Sequence, residues 1–406
     1  MRHLLFPLSC VCAAALALAS GTARAQSSPY YIGIAQTFSH EDNLLRLRDG
    51  QALPPGLSKA DTISSTALVA GLDQTFGRQR LFGSATLRSN RYKDNGNFDS
   101  QGYSVMGSLQ WQTIEQLSGS VRASADRALR TDVRDRNDNF IAGKNSETAR
   151  VLDINAALGV AGPWSLEAGA SWRQVDYSAA AAQFREYETK SGNVGVRWRP
   201  GTSLTLGLGI SRTAIDYPLL LQSADPNDRR ETDSVDLSAT WAPSAASALS
   251  ARVSQTKTRY EQFAQRDFSA TSGALSWTWQ PTGRVRLTTR LSRDIGQDAD
   301  RATTAFSRTT DSLNLQAGYE VSAKVTASLA FTTYRRSIDG TGVSVTGTAG
   351  TDNGDSASLS LRWAALRSLT LGCDLSHEQR RASSNPLLND AYRANVYSCY
   401  GQFTLQ

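Results

Sequence analysis

Val194, Val196 and Trp198 alternate with Asn193, Gly195, Arg197 and Arg199, and the same two-residue rhythm recurs along the chain. Leu204, Leu206, Leu208 and Ile210 oppose Thr205, Gly207, Gly209 and Ser211, while Val235, Leu237, Ala239 and Trp241 oppose Ser234, Asp236, Ser238 and Thr240. Val285, Leu287, Thr289 and Leu291 oppose Arg284, Arg286, Thr288 and Arg290, and Leu359, Leu361 and Trp363 oppose Ser358, Ser360 and Arg362. Period two predicts β-strands with one apolar and one polar face.

The strands are grouped by a repeat. Alternating segments end in an aromatic residue, turn within a few residues and start again, as at Trp111, Trp198, Trp241, Trp279 and Trp363, with Gly162-Pro163-Trp164 and Tyr319 filling the gaps. The period of about forty residues is that of a propeller or of a barrel meander. Only two long strands fit each period, whereas a propeller blade needs four. Short turns fall near 77–80, 113–116, 161–164, 200–203, 243–247, 281–284, 322–324 and 364–368. Long polar loops fall near 41–60, 92–99, 128–146, 178–187, 218–230, 261–267, 294–308, 337–355 and 381–391. These connectors delimit about eighteen strands, or sixteen on a more conservative tally, with short turns on one side and long loops on the other. That asymmetry predicts an all-β fold, a transmembrane antiparallel up-and-down barrel of the outer-membrane type. The tryptophans beside the short turns form a periplasmic girdle in this arrangement; in a soluble sandwich they would be a buried row.

Composition changes the picture in two places. Mean hydropathy is −0.36, which by itself describes a water-soluble chain, but a barrel reconciles it with a membrane because only alternate residues meet lipid. The start of the chain carries Arg2 and His3, an apolar run from Leu4 to Ser20, and Ala23-Arg24-Ala25 before Gln26. This predicts a secretory signal peptide over 1–25 and an outer-membrane barrel over 26–406. Without the signal, 41 basic residues face 37 acidic ones, too mild a surplus to suggest nucleic acid as a partner. Three histidines and two methionines in the whole chain leave no ligand set for zinc or haem, and no cofactor is expected.

The polar strand faces line the lumen, which at this strand number is wide enough for an aqueous channel unless plugged. Its basic side chains are Arg122, Arg173, Arg197, Arg199, Arg252, Arg284, Arg286, Arg290, Arg362 and Arg380, against the acids Asp126, Asp153, Glu167, Asp236, Glu320, Asp374 and Glu378. Arginine keeps its charge and grips carboxylate or phosphate through a rigid fork, so this wall suits anionic or polyhydroxyl solutes. Alternatively, the charges pair across strands and brace a wet interior. Catalysis has thin support. Of the histidines only His40 and His377 follow the signal, and His377 takes a lipid-facing parity that a surface phospholipase would need, but no nucleophile motif accompanies it. Asp374 and Glu378 could in principle cleave glycosides, although ion pairing is the simpler account. The chain is not expected to be an enzyme.

Residues 31–47 read YIGIAQTFSHEDNLLRL, with an acidic Asp42-Asn43-Leu44-Leu45-Arg46-Leu47 segment closing the first strand. This opening resembles the EpsL-type outer-membrane barrels of exopolysaccharide gene clusters, also called β-barrel porins of the second type. The resemblance extends over most of 28–406 through length and tryptophan-turn repeats, and is specific only at this segment. It implies export of an extracellular polysaccharide across the outer membrane, with lipid, polysaccharide and periplasmic export components as partners, and it transfers no catalytic residue. A nutrient porin or substrate-specific uptake channel is the alternative use of the same fold, and a barrel-borne hydrolase the third.

Cys373 and Cys399 are the only cysteines beyond the signal. They fall on the last two strands with outward parity, equally far from the centre of loop 381–391, so a symmetric hairpin opposes them directly. Opposed Cα atoms lie about 4.5–5.5 Å apart, and an oxidising periplasm then favours a disulfide.

Overall fold

The computed structural model describes residues 28–406 apart from 49, 114–115, 132, 137–138, 142, 160, 221–226, 263, 265–266, 298–305, 341–349 and 382–390. The expected signal segment lies outside the described residues. Strands β1 (Tyr30–Glu41), β2 (Asp61–Phe76), β3 (Gln79–Tyr92), β4 (Ser100–Gln112), β5 (Leu117–Leu129) and β6 (Ser146–Leu158) open the chain. Next come β7 (Trp164–Tyr177), β8 (Tyr187–Trp198), β9 (Leu204–Tyr217), β10 (Asp228–Ser244), β11 (Ser247–Tyr260) and β12 (Phe268–Thr282). The last third supplies β13 (Val285–Gln297), β14 (Phe306–Ser322), β15 (Val325–Gly340), β16 (Gly350–Ala364), β17 (Leu369–Arg380) and β18 (Tyr392–Leu405).

All eighteen strands belong to one sheet in which sequence neighbours pair antiparallel. β18 returns to pair with β1, from Ile32 opposite Leu405 to Glu41 opposite Val396, so the barrel is closed. Closure is what a lipid environment demands, because an open edge would leave backbone donors and acceptors without partners. No helix among the described residues is long and apolar enough to cross a membrane; the strands do the crossing.

Short connections turn quickly at one end. Gly77 takes φ 60° at the two-residue link between β2 and β3, a conformation that costs glycine nothing. At three other turns the register shifts between Trp241 and Ser244, Trp279 and Thr282, and Glu320 and Ser322, which tightens the reversal. At the other end, three expected loops are shorter than the alternation suggested. β10 begins at Asp228, β13 continues to Gln297 and β14 resumes at Phe306, and β15 reaches Gly340 while β16 starts at Gly350. Strands reach 17 residues, whereas a tilted crossing needs about 9–11. Beyond the bilayer both faces are wet, so polar residues occupy both parities and the contrast disappears while pairing continues.

The apolar face looks outward. Ile32, Leu68, Leu87, Leu208, Ile210, Leu237, Val253 and Leu361 are all exposed on the outer wall. Trp164, Trp198, Trp241, Trp279 and Trp363 are exposed near the short turns, and Trp164 stacks on Trp198 with ring centroids 5.5 Å apart. This placement is the aromatic girdle of an outer-membrane barrel. Among the described residues the buried apolar clusters lie at the long-loop end, one around Leu44, Leu45, Leu47, Ile63 and Phe98 and another around Phe184, Tyr217 and Leu220.

Cys373 and Cys399 are directly opposed in the β17–β18 register, with Cα atoms 4.0 Å apart and their sulfurs in bonding contact. Thiol alkylation of the unfolded, unreduced protein should therefore label neither cysteine. Joint Cys373→Ser and Cys399→Ser replacement should lower unfolding stability by about 3 kcal/mol, the value for a cross-link of this span. Full labelling of both thiols in protein taken from the outer membrane would show that the bridge does not form.

Candidate lumen and outer mouth

Inside the barrel the ten predicted arginines separate into two groups. Arg197 pairs with Glu167 at 2.7 Å and Arg252 with Asp236 at 2.8 Å, each from a neighbouring strand. Arg380 joins Arg336 on Asp352, whose side chain is 1% exposed. Arg199, just past β8, donates to the Gly162 carbonyl at 3.3 Å and to Ser165 Oγ at 3.4 Å. These four brace the wall. Arg122, Arg173, Arg284, Arg286, Arg290 and Arg362 form no ion pair among the described residues. The wall also carries charges that the sequence reading omitted, notably Arg80 with Asp73 and the Arg336–Asp352 pair, which lie near strand ends where both faces are polar.

The unpaired group is concentrated on one sector. Arg284 precedes β13, and Arg286 and Arg290 share its inward face, the last two about 14 Å apart at 3.4 Å per residue. In register, Arg286 faces Gly318 and then Ser328 and Ser360, while Arg290 faces Asn314, then Thr332 and Ser356. Arg362 follows in the row that begins Glu320–Thr326. The result is a strip of guanidinium groups beside a floor of mostly short hydroxyl and amide side chains, with the carboxylates Glu320 and Asp374 in its rows. Such a surface can fork onto carboxylate or phosphate oxygens and exchange hydrogen bonds with hydroxyl groups.

The outer mouth is organised by the Asp42–Leu47 segment. Asn43 is buried, donates through Nδ2 to the carbonyls of Leu47 (2.8 Å) and Arg393 (2.9 Å), and accepts from Leu47 N–H at 2.8 Å. Asp42 accepts from the backbone N–H and side-chain amide of Asn395; although burial raises its pKa, these hydrogen bonds hold it below the usual carboxylate value. Arg46 adopts φ 52°, outside the ordinary range for a side chain of its kind, and is fixed there by Glu41 at 2.9 Å and by Glu378 at 3.5 Å. Leu44, Leu45 and Leu47 pack with Phe98 from the β3–β4 connection, and Phe140 from the β5–β6 connection joins them. Arg136 extends the assembly by donating to the Leu220 carbonyl at 2.6 Å while lying 4.6 Å from the Phe184 ring centroid. Loops from the first half of the barrel thus form one packed layer at the mouth.

A buried carboxylate fastens that layer. Asp61 accepts from the backbone N–H groups of Thr62, Lys93, Asp94 and Asn95 and from Asn95 Nδ2, all at 2.7–3.0 Å. Sequence reasoning passed over Asp61 and Asn95, since a lone Asp and a lone Asn in loop-rich stretches look like ordinary turn residues.

Among the described residues the catalytic alternatives find no supporting geometry. His377 Nδ1 lies 2.7 Å from Asn395 Oδ1 on the outer wall. Its outward-facing neighbours are Leu375, Gln379, Ala357 and Asn395, none a nucleophile. Asp374 and Glu378 share one strand face about 14 Å apart, beyond the spacing that glycoside hydrolysis uses, and Glu378 accepts a hydrogen bond from the Tyr392 hydroxyl.

No protein-family model matches the chain, and no curated protein matches it in sequence. Among solved structures it is similar to OccK2 (OpdF) of Pseudomonas aeruginosa, at 13% identity and a TM-score of 0.51 over 93% of this chain and 98% of that one. It is also similar to the FrpB iron transporter of Neisseria meningitidis, at 9% identity and a TM-score of 0.51 over 92% of this chain and 81% of that one. The likeness is one of architecture. Together with the apolar belt and the closed sheet, it identifies an outer-membrane β-barrel of a Gram-negative type.

Replacing Asp61 with Ala should release the mouth layer, because each buried donor left without a partner costs about 1–3 kcal/mol. Limited proteolysis should then cut the β1–β2 or β3–β4 connection several times faster, while the folded barrel keeps its heat-modifiable mobility on gels. Unchanged cleavage would show that the apolar cluster alone holds the loops.

Proposed function

We propose that the barrel is a passive, substrate-selective channel for small anionic, hydroxyl-bearing solutes. The observation that carries this reading is the strip of Arg284, Arg286, Arg290 and Arg362, free of ion pairs among the described residues and set beside small polar side chains. Guanidinium groups already satisfied by carboxylates would offer a passing anion little. Unsatisfied ones in a water-filled lumen offer reversible forks, close enough to hand a solute along and weak enough in water to let it leave. The porin-like architecture supports the same reading.

Polysaccharide export, which the opening segment suggests through its resemblance to EpsL-type barrels, is the second reading. Residues 42–47 favour it as a shared signature. In this molecule, however, Asn43 and the three leucines serve to pack the mouth, and a packed layer across part of the opening suits small solutes better than a polymer.

Planar-bilayer recordings should show anion preference that falls as salt rises, since screening shortens the reach of the lumen charges. Joint replacement of Arg284, Arg286 and Arg290 with Ser should reduce the anion-to-cation permeability ratio several-fold without abolishing conductance. Cation selectivity in the parent protein would overturn the reading. Liposome swelling should be faster with a sugar acid than with a neutral sugar of equal size, and the triple variant should lose that difference. Loss of secreted polysaccharide on gene deletion, with normal uptake of small anions, would favour the export reading instead.

A further inference from the structure

The outer wall carries charge as well as apolar surface, and the charge is layered. Across β12–β16 one register row reads Gly273, Arg293, Asp311, Arg335 and Asn353, all on the outward parity. The row two residues nearer the short turns reads Leu275, Leu291, Leu313, Thr333 and Asp355. Two strand residues span about 7 Å, so guanidinium groups stand one step above an aliphatic wall, on the long-loop side. The two rows line a concavity of about 960 Å³ on the barrel exterior. Gly273 contributes to it by presenting no side chain between Val253 and Arg293.

Within this concavity the acids are already engaged. Asp311 takes a two-pronged contact from Arg293 at 2.6 and 2.9 Å. Asp355 accepts from Arg381 at 2.7 Å and from Thr333 Oγ1 at 2.7 Å. Arg335 lies between the two pairs and makes no ion pair among the described residues. Three cations against two carboxylates leave a surplus positive charge, carried by Arg335.

We infer that this groove is a binding site for a phosphorylated membrane lipid of the outer leaflet, with Arg335 gripping the phosphate and Leu275, Leu291 and Leu313 receiving an acyl chain. Charge complementarity selects an anion, and the arginine fork matches phosphate geometry. Continuity with the lipid-facing wall selects an anion that carries hydrocarbon, because a bilayer is what covers this face. The site is independent of what passes through the lumen.

The test uses the full folded barrel in phosphatidylcholine nanodiscs doped with phosphatidic acid, followed by quantification of lipid retained after mild detergent extraction. Phosphatidic acid should be enriched about tenfold over its share of the nanodisc, in line with charge-assisted hydrogen bonds to a partly desolvated phosphate. R335Q should remove most of that enrichment, R335K should retain part of it, and the lumen variant R122S should leave it unchanged. Should R335Q fail to fold, R381Q carries the same expectation. Absent enrichment, or enrichment equal in R335Q, would overturn the site. Displacement of the lipid by millimolar inorganic phosphate would overturn the lipid assignment and indicate a site for free anions.

Discussion

A bilayer offers a backbone amide no hydrogen-bond partner, and from this single deficit the rest of the molecule follows. Each strand must be paired on both sides, which β18 achieves for the whole sheet by meeting β1 along ten register pairs. Closure in turn separates the residues of every strand into an outside set and an inside set. The separation makes exposed leucines stable and lets charged side chains sit a few ångströms away, behind the same backbone. In a soluble protein Leu237 at 58% exposure would be a defect; here it is the contact surface with the solvent that matters.

Most of this architecture was legible in the chain because its signals are local. Alternation at Val194–Arg199 or Leu204–Ser211 needs only the neighbouring residues to be read. Tryptophan beside most of the short turns marks depth, and the even number of strands follows from turn asymmetry. The symmetry of the final hairpin even aligned Cys373 with Cys399. Legibility fades where both faces meet water. β15 and β16 continue into the region assigned to a loop, 337–355, because Ser337, Thr351 and Asp352 are polar on both parities, yet the backbones there still pair. The pairing state of the lumen charges was hidden for a related reason. Arg197 and Arg286 look alike in sequence, and only the cross-strand register sets Glu167 two positions from the residue facing Arg197 while giving Arg286 a glycine.

The mouth illustrates the opposite case, in which a sequence motif was visible but its work was not. Asp42–Leu47 stands out as a segment, and its resemblance to EpsL-type openings points to polysaccharide export before it points to structure. In the fold, Asp42 anchors Asn395, Asn43 bridges to Arg393, and the leucines fill a core shared by connections far apart in the chain. Buried polar groups of this kind are stable only when fully paired, so they specify one loop arrangement instead of many. A segment that stands out in a barrel's sequence can therefore report how the mouth is fastened, separate from any cargo.

Register is where structure and function meet. Arg286 and Arg290 face the lumen from β13, while Arg293, of opposite parity on the same strand, faces outward. A slip of one residue would exchange the two sets, because side-chain direction has a period of two. Leu287 and Leu291 would enter water, and Arg286 and Arg290 would enter lipid at about 2–4 kcal/mol each near the bilayer midplane. The penalty for such a slip far exceeds the strength of any single cross-strand pair. The arginines on the inward face of β13 thus help to forbid the alternative pairing. A variant that neutralises them therefore weakens the discrimination that keeps β13 aligned with β12 and β14.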